Sequence, residues 1–212
     1  MAGRTTLLDD APVVIGVPAR NEEAMLPGLL AALAALAVDR SALDVCLYLD
    51  DCRDGSAALL ARLAPTLPFR LTVAQGGAGA APNAGAARRA AMALGLQRLG
   101  GAEGLIFTTD ADSKPRRDWI GAGRNALREA EVVAGRIVRS HAAADPRASR
   151  VEYYYDRLHR YRRSIDPVGW EARDTHHFSG GANIAIRASA YRLLGGFLPL
   201  PSGEEARLLD DA

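Results

Sequence analysis

Short apolar runs rich in β-branched residues alternate with longer stretches of helical spacing through the first two thirds of the chain. Residues 12–17 (PVVIGV), 43–49 (LDVCLYL), 70–74, 105–109 (LIFTT) and 131–135 read as strands. Runs that lack polar alternation fit strands buried on both faces. Between them the pattern predicts helices. Asn21 is placed to cap one over 22–38, with acids in its first turn where the helix dipole favours them. Asp54 caps a second, to residue 64; Pro82 opens a third, ended by Gly100-Gly101 after residue 99; Pro115 opens a fourth, to residue 130. A glycine-alanine loop, 75–81, precedes the third helix.

Strands alternating with helices imply a mostly parallel sheet with right-handed crossovers, an α/β/α three-layer domain. Such sheets bind ligands at the carboxyl ends of their strands. Here three strands run into polar clusters: Pro18-Ala19-Arg20-Asn21-Glu22, Asp50-Asp51 and Asp110-Ala111-Asp112. Beyond residue 140 the pattern changes. Residues 147–163 are rich in Tyr and Arg at helical spacing, and 164–178, with Trp170, His176 and His177, read as an irregular loop. A glycine turn at Gly180-Gly181 leads into a short strand ending near Arg187, then a helix over 189–194 and a helix start in 203–212.

Composition narrows the classes. Of the 212 residues 49% are hydrophobic, which is globular composition, and a net charge of +1 offers no basis for a nucleic-acid partner. Cys46 and Cys52 form no Cys-x-x-Cys, so neither a zinc knuckle nor a redox pair is expected. The opening ten residues lack the apolar core of a signal peptide, and the longest apolar run, 24–38, is too short to span a bilayer. The expected location is cytoplasmic, with the inner face of a membrane as the alternative.

Each cluster has a chemistry and a plainer reading. Two carboxylates at Asp110 and Asp112, just past a buried strand, supply the hard oxygens that Mg²⁺ or Mn²⁺ shares with phosphate groups; a lone Asp-x-Asp is more often a solvated turn. Asp50 or Asp51 could accept hydrogen bonds from a base or ribose, or could simply form a turn. Arg20 and Glu22 sit where a helix cap would also put them. Arg88 and Arg89 fit a diphosphate contact or an ordinary solvated face. Glu204-Glu205 fit a general base or a helix start. The 147–163 stretch fits an acceptor-side surface or an amphipathic packing helix.

Taken together, six segments stand in the order found in family-2 glycosyltransferases of the GT-A fold, which the chain resembles over nearly its whole length. They are VVIGVPARNEE (13–23), LYLDDCRDGSA (47–57), PNAGAARRAAM (82–92), LIFTTDADSKPRRDWI (105–120), SGGANIAIRASAYRLLGGF (179–197) and SGEEARLL (202–209). The resemblance implies one Rossmann-like catalytic domain over 1–212: a nucleotide half, 1–112, and an acceptor-side half, 113–212, with more sequence expected to follow. It implies a nucleotide-diphosphate sugar donor (UDP- or GDP-linked) and an acceptor hydroxyl on a saccharide, lipid or small metabolite. Pro18, Arg20, Glu22 and Asp50 or Asp51 would line the nucleotide, and Arg88 would approach ribose or diphosphate. Asp110 and Asp112 would bind nucleotide and Mg²⁺ or Mn²⁺. Gly180 and Gly181 would let backbone approach sugar or acceptor. Glu205 would be the base of an inverting transfer, with Glu204 before it. Two departures stand out: the Asp50-Asp51 turn is one residue shorter than the common form, and Glu replaces Asp at 205. Alternatives of another class are a catalytically inactive nucleotide-sugar-binding module and a sugar nucleotidyltransferase, though the latter would want a glycine- and lysine-rich turn after its first strand.

Overall fold

The computed structural model describes residues 8–77, 81–138, 146–167, 169, 176–177 and 180–212. Its centre is a six-stranded sheet in the order β3-β2-β1-β4-β6-β5. The strands are β1 (Val13–Ala19), β2 (Leu43–Asp50), β3 (Arg70–Gly76), β4 (Leu105–Thr108), β5 (Val132–Ala134) and β6 (Ile184–Arg187). β1 pairs in parallel with β2 and β4, and β2 with β3; β6 runs antiparallel to both β4 and β5. The sheet is therefore mostly parallel, as the alternating pattern requires. Strands from the second half join it directly, because β6 lies against β4.

Alternate residues of the central strands feed two separate cores. Val13, Ile15 and Val17 of β1 point to one face, where α1 (Leu26–Ala34), α2 (Ser56–Leu63) and α4 (Trp119–Ala126) cover them. Val14 points to the other, with Cys46, Ile106, Ile184 and Ile186, beneath α3 (Ala84–Leu99), α6 (Ala188–Leu193) and α7 (Glu204–Asp210). Period-two alternation in a strand buried on both sides gives this α/β/α sandwich. α3 lies close to the sheet because glycine removes the obstruction: a Cβ on Gly95 would stand 2.5 Å from Val14 Cγ1, and one on Gly16 2.7 Å from Met92 Sδ.

Helix starts differ from the sequence-based expectation in informative ways. Asn21 does not cap α1, which begins at Leu26. It takes a left-handed φ of 57° and its Oδ1 accepts from the Arg53 amide at 2.7 Å. The next amides also go to the neighbouring loop: Glu22 N donates to Ser56 Oγ at 3.2 Å, and Glu23 N to Asp54 Oδ2 at 3.0 Å. With those amides satisfied from outside, residues 21–25 form a turn, not helix. α3 is capped by Asn83, whose Oδ1 accepts from Ala86 N at 2.8 Å, and ends at Gly100 with φ 58°. α4 starts at Trp119 and not at Pro115, because the Arg117 carbonyl is taken by Ala37 N at 2.8 Å. The Tyr- and Arg-rich segment is a helix, α5 (Pro146–Ile165). Trp170 and most of the expected loop 164–178 lie outside the described residues.

Candidate active site

The chain leaves β1 toward β2 and β3 on one side and returns to β4 on the other. The sheet therefore opens a crevice at the carboxyl ends of β1 and β4, the usual ligand position in an open parallel sheet. The expected acids and arginines collect along this edge, in two groups.

The first group joins the ends of β1, β2 and β3. Arg20 reaches across both acids: Nη1 donates to Asp50 Oδ2 at 3.0 Å and Nη2 to Asp51 Oδ2 at 3.2 Å. Asp51 Oδ2 also receives Arg53 Nη2 at 3.1 Å, and the Asp51 amide donates to the Gly76 carbonyl at 2.7 Å, with φ 46° at Asp51. Asp50 thus keeps Oδ1 without a hydrogen-bond donor among the described residues. That oxygen extends over Gly77, where a Cβ would stand 2.0 Å from it. Gly76 makes the same room for Tyr48, whose hydroxyl would lie 2.1 Å from an added Cβ. Pro18, half-buried, is in register with Tyr48. Tyr48 went unremarked in the sequence, and Gly76 and Gly77 were read there only as part of the 75–81 glycine-alanine loop. Cys52 Sγ donates to the Ala19 carbonyl at 3.4 Å, and burial pushes the Cys46 thiol up to about 12, so both cysteines are structural.

The second group is built around Arg88. This arginine is 5% exposed, on α3, and its guanidinium meets four protein acceptors. Nε donates to Glu204 Oε1 at 3.1 Å, Nη1 to Thr108 Oγ1 and to the Gly181 carbonyl at 3.0 Å each, and Nη2 to Asp110 Oδ1 at 2.8 Å. Burial opposes its charge, but Asp110 and Glu204 outweigh that and hold the guanidinium ionised. Gly181 is required here on steric grounds, since a Cβ would stand 2.3 Å from Arg88 Cζ. Its neighbour Gly180 is extended and buried. The arginine expected against ribose or diphosphate is thus an internal clamp, and the glycine expected to face the sugar makes room for that clamp. Arg89 is structural too, donating to the Gly195 and Phe197 carbonyls.

Along this edge lie five exposed or half-buried carboxylates: Glu22, Asp54, Asp110, Asp112 and Glu205. Glu22 is pushed up by partial burial and then by the charges of Asp112, Asp54 and Asp110, which places these acids in one field. Asp112 is exposed and makes no hydrogen bond or ion pair to a described residue. Glu205, beside the buried Glu204, is pushed up by burial and by the Glu204 charge. No group of three or more His, Cys, Asp or Glu side chains among the described residues forms a ready-made metal cage. The donor set nevertheless fits a hard divalent cation that takes its remaining ligands from phosphate and water: among the described residues Asp112 has no partner and the Asp110 carboxylate commits only Oδ1. His177 pairs with Asp156 of α5 at 2.8 Å.

The family model described as glycosyl transferase family 2 matches residues 14–194, a span that includes both groups except Glu204 and Glu205. The chain belongs to glycosyl transferase family 2. No individual curated protein matches it. Among solved structures of this GT-A fold, the mannosyltransferase PcManGT from Pyrobaculum calidifontis, in complex with GDP-Man and Mn²⁺, matches at 21% identity with a TM-score of 0.63 over 93% of this chain and 50% of that one. TarS of S. aureus in complex with UDP matches at 15% identity and TM-score 0.64, over 94% and 54% of the respective chains. Glucosyl-3-phosphoglycerate synthase from Mycobacterium tuberculosis, with Mn²⁺, UDP and glucosyl-3-phosphoglycerate, matches at 16% identity and TM-score 0.55, over 99% and 68%. This family-2 chain spans about half the length of the first two.

Proposed function

We propose that the chain is a glycosyltransferase that moves a sugar from a nucleotide-diphosphate donor to an acceptor hydroxyl. The observation that carries the reading is the buried Arg88 clamp, which fixes Asp110 on one side of the crevice and Glu204 on the other. Family membership and the likeness to proteins solved with GDP-Man, UDP and Mn²⁺ support it.

The geometry supports the following roles. Asp50 is the better acid for the nucleobase, because its Oδ1 carries no protein donor whereas Asp51 Oδ2 serves two arginines. Pro18 and Tyr48 wall that side, and Arg20 orients Asp50. Asp112 and the second oxygen of Asp110 would hold Mg²⁺ or Mn²⁺, which supplies charge neutralisation of the departing diphosphate. Arg88 acts through Asp110, holding its carboxylate in one rotamer. Glu205 takes the proton of the acceptor hydroxyl as that oxygen attacks the anomeric carbon and the bond to diphosphate breaks. Its raised pKa brings it nearer neutrality, where a general base works best. Attack from the face opposite the diphosphate inverts the anomeric configuration.

The test pairs calorimetry of UDP and GDP, with and without Mn²⁺, with a transfer assay over a panel of nucleotide sugars. Metal-dependent nucleotide binding together with turnover is expected. Binding without any turnover would instead make this an inactive nucleotide-sugar-binding module.

A further inference from the structure

The helix α5 is turned inside out. Its 20 residues, about 30 Å of helix, contain no buried side chain among those described. The half-buried positions are Glu152, Asp156, His159 and Arg163 on a polar face, together with the apolar Leu158. Asp156 on that face takes Arg136 Nη2 at 3.0 Å and His177 Nδ1 at 2.8 Å. The apolar positions recur at helical spacing on the opposite side. Val151, Tyr154, Tyr161 and Ile165 are each between 54% and 65% exposed, with Leu158 completing the stripe. A soluble helix normally does the reverse.

Charge indicates what covers the stripe. α5 holds six arginines against two acids, a net +4 with His159 neutral, while the whole chain carries only +1. Arg150 and Arg157 flank the stripe on one side and Arg162 on the other, all exposed. In a parallel pairing with a second copy, these flanking arginines would face one another, and like charges there oppose association. An apolar stripe with tyrosines at its border and arginines along both edges is the pattern of a helix lying in the plane of an anionic bilayer surface. No helix among the described residues is long and apolar enough to cross a membrane, so the contact is peripheral.

We propose that α5 is an interfacial anchor that lays its Val151–Ile165 stripe on an anionic membrane surface and presents the catalytic edge of the sheet to it. The second half of this statement rests on connectivity. Arg136, which holds Asp156, follows β5, and its carbonyl accepts from Asn183 Nδ2 at 2.9 Å. Asn183 belongs to the same turn as Gly181, whose carbonyl receives Arg88. α5 is therefore fastened to the edge that bears Asp110. An acceptor carried in or at the membrane would meet the site there.

Flotation of the whole chain with phosphatidylcholine vesicles, with and without phosphatidylglycerol, tests this without any transfer assay. Binding to the anionic vesicles, weakened by salt, is expected. Arg150→Gln with Arg157→Gln should lower the partition about thirtyfold, from the loss of two surface cations. Tyr161→Ser with Ile165→Ser should lower it about tenfold or more. Both pairs are exposed, so circular dichroism and Tm should match the parent chain. Absence of binding, equal binding to both vesicle types, or variants that float like the parent would overturn the proposal. So would a dimer in sedimentation equilibrium that Ile165→Ser dissolves, because the stripe would then belong to a second copy.

Discussion

A guanidinium taken out of water loses several kcal/mol of hydration, and Arg88 regains this through four directed hydrogen bonds, two of them to carboxylates. Lysine cannot reproduce that fork. Arg88→Lys should therefore lower stability by about 3 kcal/mol in chemical denaturation, and the surviving folded protein should lose kcat more than donor affinity. Glu205 makes the second prediction at this scale. Its carboxyl is pushed up, so it holds its proton to a higher pH than an ordinary glutamate. The base form then disappears as pH falls through the raised value, and the acid limb of kcat/KM should lie above the usual glutamate range. Glu205→Gln should abolish turnover while leaving nucleotide binding intact; a variant that keeps the parent kcat and acid limb would reassign the base. Asp50 and Asp110 were legible in the sequence because each closes an apolar strand. The burial of Arg88 was not. The inward face of α3 is made of Gly85, Ala87, Ala91, Met92 and Gly95, too small and too like its other face to announce an inside.

At the scale of elements, the strands were readable and the starts of α1 and α4 were not. A strand buried on both faces declares itself by an unbroken apolar run, and β1, β2 and β4 did so. A helix start depends on who satisfies the first amides. For α1 those amides go to Ser56 and Asp54, more than thirty residues away, and no local pattern carries that information. The antiparallel direction of β6 was likewise a tertiary fact. Two substitutions test the element-level account. Asn83→Ala removes the α3 cap and should lower stability by about 1 kcal/mol, seen as a reduced denaturation midpoint. Gly181→Ala places a methyl group on the Arg88 guanidinium and should depress turnover strongly while leaving the β1-β2 group intact. Wild-type turnover in Gly181→Ala would remove the clamp from the account of activity.

For the whole molecule, ligand linkage gives the most direct reading. A nucleotide diphosphate and metal that bind only the folded chain should raise its stability by on the order of 3 kcal/mol at about a hundredfold excess over Kd. The increment due to Mn²⁺ should vanish in Asp112→Ala, while the nucleotide's own increment persists. Thermal shift with UDP and GDP, each with and without Mn²⁺, measures both. The family resemblance read from the first five segments agrees with the family model matched over residues 14–194 and with the sheet topology.

The clamp also has a consequence for how the chain comes to be active. Arg88 and Glu204 stand 116 residues apart in sequence, and Arg88 and Gly181 stand 93 apart. Contacts of such long range close late, because the entropy of joining distant segments must be overcome before they are rewarded. Until residue 204 has emerged from the ribosome, a nascent chain holds Arg88 over a forming core with one of its two counterions missing. The nucleotide half can acquire its strands in order, but its reactive edge is set only when α7 docks. Closure of the Arg88 clamp is thus a late, cooperative event that waits for synthesis of the segment carrying Glu204.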